Sequence, residues 1–466
     1  PKLFVNLEHL YTFPFDDGKD YILFGKIHFM PDKSRLPYFI FFAFAAIFIS
    51  VVFKGLLTMQ PGDENVYFYM GKLIAEGKMP YRDLFYAHPP LHAYLLALAY
   101  KTFGFNIIAL KSITLISALI ASFFIFKTAK QKFGNLEAII SSMLFMFSYG
   151  IMFNSVFSFG IMEATMLIAI GFYFLLNKQK SYLAGLFFGL AAITRLLALI
   201  PIFIILFIIL LSDRKKFIQL SSSFLAIFLA VNLSFLLLFG NDYANPVYKF
   251  HLIKKIGAEQ NLKEYFDIIK LNWILFLSAF AFVFAKGKKQ LYIIAAPSLA
   301  YLAFLFALHK LFGFYFLIIF PFLAMIGGYS LANLYNRLKI SKKYKLGIFF
   351  ILISVFLWNL FSDALFLHSI GYTGFERGSD LANFVNSNSG KNTMLFGDAS
   401  VAPLLALMTN KKLALDFADT NDQVFSSGII DANEVLAGIK NHEILFIVRD
   451  KGLSSLEEIR NFVNNN

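Results

Sequence analysis

Long apolar stretches separated by short basic ones fill most of this chain. Runs at Tyr38–Phe53, Ile107–Phe126, Ile161–Leu176, Phe217–Phe239, Leu291–Leu308, Phe312–Leu331 and Leu346–Leu365 reach or approach bilayer-crossing length, which is roughly 20 residues. With the weaker apolar stretches included, the pattern predicts eleven helices, near 38–57, 107–127, 136–153, 156–177, 181–194, 196–211, 217–239, 272–285, 291–308, 312–332 and 346–365. The pair 181–194 and 196–211 is short, and Pro201 interrupts its second half. Beyond residue 365 the pattern changes. Strand-like Thr393–Phe396, Leu413–Phe417 and Ile444–Val448 alternate with helical patterns at 377–387, 401–409, 431–440 and 454–464. The expected fold is therefore an all-α polytopic membrane domain over 37–365, with a small soluble α/β domain over 366–466. Residues 1–36 form a separate leading segment.

Basic residues in short loops set the expected orientation, because cytoplasmic loops collect Lys and Arg. Lys127, Lys130 and Lys132 form one such group, and Lys178 with Lys180 a second. Arg214–Lys216, Lys286 with Lys288 and Lys289, and Arg337 through Lys345 complete a set of 16 basic residues, with Asp213 the only acid. These loops and residues 1–36 are expected in the cytoplasm of a multi-pass plasma-membrane protein, with the C-terminal domain extracytoplasmic. The opening residues are polar and do not read as a cleavable signal peptide, so Tyr38–Phe53 is expected to be an uncleaved anchor.

Composition agrees with this picture: 58% of residues are hydrophobic, 15% are charged and the mean hydropathy is +0.66. The net charge is +13, yet Gly371–Asn466 holds eight Lys/Arg against twelve Asp/Glu, a net of −4. The remainder therefore carries +17, which fits orientation and contact with membrane lipids and argues against nucleic acid as a partner. With no cysteine in the chain, thiol catalysis and Cys-ligated metals are excluded.

Three segments fall outside by this topology: 58–106, 240–271 and 366–466. The first predicts two helices resting on the membrane. Asp63 follows Pro61-Gly62 and opens a stretch with Val66, Met70, Leu73 and Ile74 on one face, closed by Gly77. A second helix begins at Pro89-Pro90 and stops at Gly104. It is too short to span, so it is placed in the interface. The third segment carries no nucleotide-type Gly-rich loop or metal cluster and reads as a lid or recognition module.

Candidate chemistry gathers at the outer ends of the spans. Asp63 and Glu64 are adjacent carboxylates that suit a helix start, and equally a general base or a divalent-cation site for Mg or Mn. Glu163 stands alone in an apolar stretch, where a carboxylate is costly and raises a functional expectation, and with Asp63 it is a candidate ligand for that cation. His88, Arg195, His309 and Lys310 sit at outer turns, and Lys249, His251, Lys254 and Lys255 lie in the loop 240–271. Cations placed outside, against the usual bias, are suited to holding a lipid phosphate, or to anchoring at headgroups by snorkelling.

The series Gly62-Asp63-Glu64-Asn65-Val66-Tyr67, Gly77-Lys78, Pro80-Tyr81-Arg82-Asp83, His88-Pro89-Pro90-Leu91 and Phe103-Gly104 resembles the first external loop of GT-C glycosyltransferases. It is most like that of the protein O-mannosyltransferase and lipid A aminoarabinose transferase group. More loosely, Ala184-Gly185-Leu186, Gly189-Leu190-Ala191 and Thr194-Arg195 look like that family's paired short helices, and Tyr315 with Pro321-Phe322-Leu323 like its late helix. The resemblance implies a catalytic carboxylate at Asp63 and a second acidic position near Glu163, where relatives often carry Asp. It also implies a donor-phosphate contact at His88, where some relatives carry Lys. No Trp-Trp-Asp motif is present; Trp273 and Trp358 are the only tryptophans. En-bloc transfer of a glycan to Asn is therefore not implied.

The expected function is transfer of one sugar, with inversion, from a polyprenyl-phosphate donor to a protein, lipid or glycan acceptor at the outer face. A transporter or flippase of lipid-linked sugars is the alternative, although no internal repeat of the kind common in transporters is visible. A non-enzymatic scaffold would leave Asp63, Glu64 and His88 without a role. An activity assay separates the first reading from the others.

Overall fold

The protein is described by a computed structural model covering residues 35–176, 180–253, 258–285, 291–308, 310–448, 453 and 456–465. Among the site candidates, His309, Lys254 and Lys255 lie outside the described residues, as do most of residues 1–36.

Helix α1 (Leu36–Leu57) starts with Pro37 in its first turn, where a missing N–H costs no hydrogen bond. The two helices expected within 58–106 form where the pattern sets their ends. Helix α2 (Glu64–Ala75) ends before Gly77 at φ +98°, and α3 (Leu91–Phe103) ends at Gly104 with φ +65°. Helix α4 (Ile107–Lys132) is capped by Asn106, whose side-chain oxygen accepts from the Ala109 N–H at 3.1 Å.

The single helix predicted over 136–153 is two, α5 (Asn135–Met146) and α6 (Tyr149–Asn154). The break at Phe147-Ser148 is satisfied from outside the ladder. Ser148 Oγ donates to the Phe145 carbonyl, and the Gly150 N–H donates to Asn272 Oδ1 at 2.8 Å. The helix predicted from 156 begins only at α7 (Ile161–Leu176), after a turn closed by Gly160 at φ +75°. There follow α8 (Ser181–Ala192), a 3-10 turn at Leu196–Ala198, α9 (Leu199–Ser212) and α10 (Arg214–Phe239). Helices α8 and α10 touch backbone to backbone. A Cβ at Gly185 would lie 2.1 Å from the Leu220 carbonyl oxygen, so only glycine permits this approach.

The segment 240–271, expected as a loop, is largely helical: α11 (Asn241–Ala244), α12 (Phe250–Ile253) and α13 (Ala258–Leu271). Helix α14 (Trp273–Phe280) follows at a bend of 82° centred on Asn272. The membrane part closes with α15 (Tyr292–Ala307), a 3-10 stretch Gly313–Ile319, α16 (Phe320–Arg337) and α17 (Lys342–Phe366).

Among the described residues, five helical segments are long and apolar enough to span: Leu36–Leu57, Ile107–Lys132, Arg214–Phe239, Gly313–Arg337 and Lys342–Gly371. The bent pair around Asn272 makes a sixth if taken as one span, and five further apolar helices are shorter, at 10–17 residues. The expectation of eleven thus resolves into full-length and broken helices, because the turn at Ser148 interrupts a run that hydropathy reads as continuous and the one closed by Gly160 shortens the next. Gly313–Arg337 runs through the middle of the bundle, whereas α17 has no buried residue and exposes apolar side chains over its length. A helix apolar all round is at home in lipid.

The C-terminal segment comprises α18 (Gly378–Asn388), β1 (Met394–Gly397), α19 (Ala402–Thr409), α20 (Asp422–Ser426), α21 (Ala432–Ile439), β2 (Ile444–Ile447) and α22 (Glu457–Asn465). The two strands pair in parallel, Met394 opposite Ile444. The strand predicted at Leu413–Phe417 makes one bridge, Leu413 to Leu395. It then turns through Leu415 and Asp416, both at positive φ. This segment shares a core with the first outer loop. Val66, Tyr69, Leu73 and Leu96 pack in one cluster with Leu395, Leu405 and Leu413. Polar ties add to this: the Gly62 N–H donates to the Ser400 carbonyl at 3.0 Å, and the Leu413 N–H to Tyr69 Oη at 2.8 Å.

Candidate functional site

Asp63 occupies the residue before α2 and is exposed. Its side chain makes no capping hydrogen bond to the helix. The turn that presents it is tightly held. Asn65 Nδ2 donates to the carbonyls of Gln60 (2.9 Å), Gly62 (3.0 Å) and Ser400 (3.2 Å).

Glu64, one residue on, has a different environment. It is buried, with Oε1 3.1 Å from Lys111 Nζ, and Oε2 accepts from the Ser158 N–H at 3.2 Å. Lys111 is itself fully buried and donates to the carbonyls of Gly55 (3.2 Å) and Thr58 (2.7 Å), at the end of α1. One ion pair thus joins α1, α2, α4 and the turn before α7. That geometry gives Glu64 a positioning role beneath Asp63.

Tyr67 is the hub of the cluster. Its hydroxyl lies 3.0 Å from His88 Nε2, the Arg195 Cζ stands 5.4 Å from its ring centroid, and His92 meets it edge-on at 5.6 Å. Burial pushes the Tyr67 phenol above its ordinary value. Arg195 pulls it back, while Asp63 and Asp419 push it further. Asp63 and Asp419 are thus within electrostatic reach of the ring over which Arg195 stands. Lys310 belongs to the same neighbourhood. Burial lowers its ammonium below the usual lysine value, opposed by the charges of Asp422 and Asp63. Tyr315 also lies within electrostatic reach of Arg195 and Tyr67.

Arg195 is buried, and its Nε has no hydrogen-bond partner within the protein. The close approach of Gly160 makes room for it. A Cβ at Gly160 would lie 3.0 Å from both Arg195 Nε and His92 Cγ. His88 is held from behind by the Tyr81 hydroxyl, which donates to its carbonyl at 2.7 Å, and by His251, stacked at 5.0 Å.

Glu163 is buried in a second pair, Oε1 3.5 Å from His92 Nδ1, and accepts from Thr114 Oγ1 at 3.2 Å. It connects to the Asp63 cluster through His92 and Tyr67. Lys249 is exposed on the 245–249 turn, and no contact ties it to this cluster. Among the described residues no three His, Asp or Glu side chains gather as a metal-binding group, and Glu163, one of the two expected ligands, is engaged by His92 and Thr114.

Asp63, His88, Arg195 and Lys310 thus converge, although more than 240 residues separate the first from the last. Sequence reading missed Lys111, His92 and Asp419. An uninterrupted apolar context hides the first, and the other two acquire meaning only from tertiary packing.

Residues 87–238 match the model of the dolichyl-phosphate-mannose-protein mannosyltransferase family. No curated protein matches the sequence. Among solved structures, ArnT from Cupriavidus metallidurans in the apo state aligns with a TM-score of 0.65 at 14% identity, covering 90% of this chain and 94% of that one. The same protein bound to undecaprenyl phosphate gives 0.63 at 14% identity over 84% of this chain and 88% of that one. The archaeal oligosaccharyltransferase AglB from Archaeoglobus fulgidus, in complex with an inhibitory peptide and a dolichol-phosphate, gives 0.53 at 11% identity over 81% of this chain and 64% of that one. At such identities the structural likeness is one of fold, and the family match adds a sequence signal over 87–238. The chain thus shares its fold with the ArnT and AglB structures, and its residues 87–238 match the dolichyl-phosphate-mannose-protein mannosyltransferase family model.

Proposed function

We propose that the protein transfers a single sugar from a polyprenyl-phosphate donor to an acceptor at the outer membrane face, with inversion at the anomeric carbon. The observation that carries this reading is the grouping about Tyr67 of the Arg195 guanidinium and the His88 imidazole, with the exposed carboxylate Asp63 within electrostatic reach of both Tyr67 and Lys310.

In this reading Asp63 takes the proton from the acceptor hydroxyl as its oxygen bonds the anomeric carbon. The bond from that carbon to the phosphate oxygen breaks, and its electron pair leaves with the lipid phosphate. Negative charge on the phosphate grows in the transition state, so cations fixed in advance stabilise it more than the ground state. Arg195 suits this task because its guanidinium is held over Tyr67 with Nε unsatisfied by protein, and a planar fork matches phosphate oxygens. Glu64 and Glu163 act from behind, through Lys111 and His92. The fold relatives support a lipid-phosphate donor, since one of them is bound to undecaprenyl phosphate and another to a dolichol-phosphate. The basic-loop pattern supports residues 1–36 in the cytoplasm and the 366–466 segment outside.

The test is sugar transfer from radiolabelled polyprenyl-phosphate monosaccharides by the purified chain in proteoliposomes. Label appearing in an acceptor fraction supports the reading. Translocation of the labelled lipid without transfer would establish the transporter alternative instead.

A further inference from the structure

Beside the Asp63 cluster lies a cleft of about 300 Å³ between the 81–85 segment, the start of α11 with Asn245 and Pro246, and the C-terminal segment. Its size is at the lower end of the range for small-molecule sites, roughly 300–1,000 Å³. The polar wall is made by Arg82, Asp83, Asn241, Asp242, Asn245 and Asp416, and Phe85, Leu415 and Phe417 add apolar faces. Three of the five described non-glycine residues at positive φ border it: Tyr81 (73°), Leu415 (55°) and Asp416 (53°). Backbone of that kind tends to be kept where a ligand is clamped. The turn at Leu415 leaves this large apolar side chain 47% exposed at the rim.

The charges narrow the ligand. Arg82 is committed to Asp83 by two hydrogen bonds of 2.9 Å, and Asp416 is paired with Lys78 at 3.0 Å. Asp242 is exposed and leaves the wall with an excess of negative charge. A phosphate or anionic headgroup is disfavoured there. Carboxylates and side-chain amides beside aromatic and aliphatic faces suit a neutral ring bearing several hydroxyls, since the acceptors and donors reach vicinal hydroxyls while the C–H face rests on Phe417 or Leu415.

The cleft also adjoins the proposed catalytic cluster. Tyr81 at its edge donates to the His88 carbonyl, and Phe85 meets Phe250, the neighbour of His251, which stacks on His88. Three residues beyond Asp416, Asp419 acts on Tyr67. We infer that this cleft is a saccharide subsite on the acceptor side, taking a neutral pyranose one or two units in size. Its acceptor role rests on the glycosyltransferase reading; its affinity for pyranoses does not.

Saturation-transfer NMR on the full chain in nanodiscs tests it, with methyl glycosides of hexoses and N-acetylhexosamines as probes and a basic Ser-containing peptide as the contrasting ligand. At least one methyl pyranoside is expected to receive saturation. Asp242→Ala should weaken it by about tenfold, the scale of one hydrogen bond to a charged group. Asn241→Trp, at an exposed position, should block the cleft and abolish the signal. Absence of any pyranoside signal, a signal unchanged by Asn241→Trp, or binding of the peptide alone would overturn the proposal. Asp63-dependent sugar transfer without pyranoside binding would remove the cleft and leave the enzyme reading standing. Pyranoside binding that responds to both variants, without any transfer, would support the subsite and sink that reading.

Discussion

Lys111 Nζ lies 3.1 Å from Glu64 Oε1, and both side chains are buried where the end of α1, the start of α2 and α4 meet. Removing one partner strands the other charge in the protein interior, which costs about 3–5 kcal/mol. Glu64→Gln and Lys111→Met should each lower thermal stability in detergent to that extent and reduce transfer along with it. The double variant Glu64→Leu/Lys111→Met should regain much of the stability, because no charge remains unpaired. Single variants as stable as the parent would remove the pair from its positioning role.

Gly160 is a second lever on the site. At φ +75° a side chain is strained, and its Cβ would press on Arg195 Nε and His92 Cγ, each at 3.0 Å. Gly160→Ala should therefore displace the guanidinium while the protein still folds. A shift near 1 Å costs on the order of a hundredfold in rate. Turnover of the folded variant at saturating donor is the readout, and an undiminished rate would exclude Arg195 from the chemistry.

Arg195→Lys keeps the charge but loses the planar fork over Tyr67. If Arg195 stabilises the leaving phosphate, single-turnover rates should fall by roughly 10²–10³, the usual effect of deleting one transition-state donor. Donor affinity should change far less. A loss confined to affinity would make Arg195 a ground-state contact only.

Lys310 supplies a pH signature. Burial holds its ammonium below the ordinary lysine value of 10.5, so it sheds its proton at lower pH than an exposed lysine. Donor binding should be strongest below that depressed value and weaken as pH rises through it, because the neutral amine no longer attracts phosphate. Arg stays charged across this range. Lys310→Arg should therefore abolish the alkaline loss in a pH profile of donor KM; a profile identical to the parent's would contradict the assignment.

Much of this arrangement is legible in the sequence, for identifiable reasons. The loop helices α2 and α3 announce themselves through Gly77, Pro89-Pro90 and Gly104, local signals whose physics is short-range. Asp63 stands out in the sequence because it follows Pro61-Gly62, opens a helical pattern and is adjacent to a second carboxylate. Glu64 is misjudged by adjacency, since successive residues at a helix start face different surroundings, and only the fold brings Lys111 to it from 47 positions away. Breaks at Ser148 and Asn272 are invisible to hydropathy, because both lie in apolar runs and the bond that joins them, from the Gly150 N–H to the Asn272 side chain, spans 122 positions. The 240–271 segment reads as a loop since its polar residues mask short helices. The docking of 378–447 on α2 depends on contacts such as Tyr69 to Leu413, which no local pattern encodes.

The central claim is that Asp63 is the base in a sugar-transfer reaction. The most direct measurement is transfer from radiolabelled polyprenyl-phosphate monosaccharides in membranes containing either the parent or Asp63→Asn, with folding of both checked by thermal unfolding. A positioned base contributes roughly 10²–10⁴-fold, so the account expects Asp63→Asn to remain folded and lose transfer by about that factor. Equal transfer by the two proteins would contradict it.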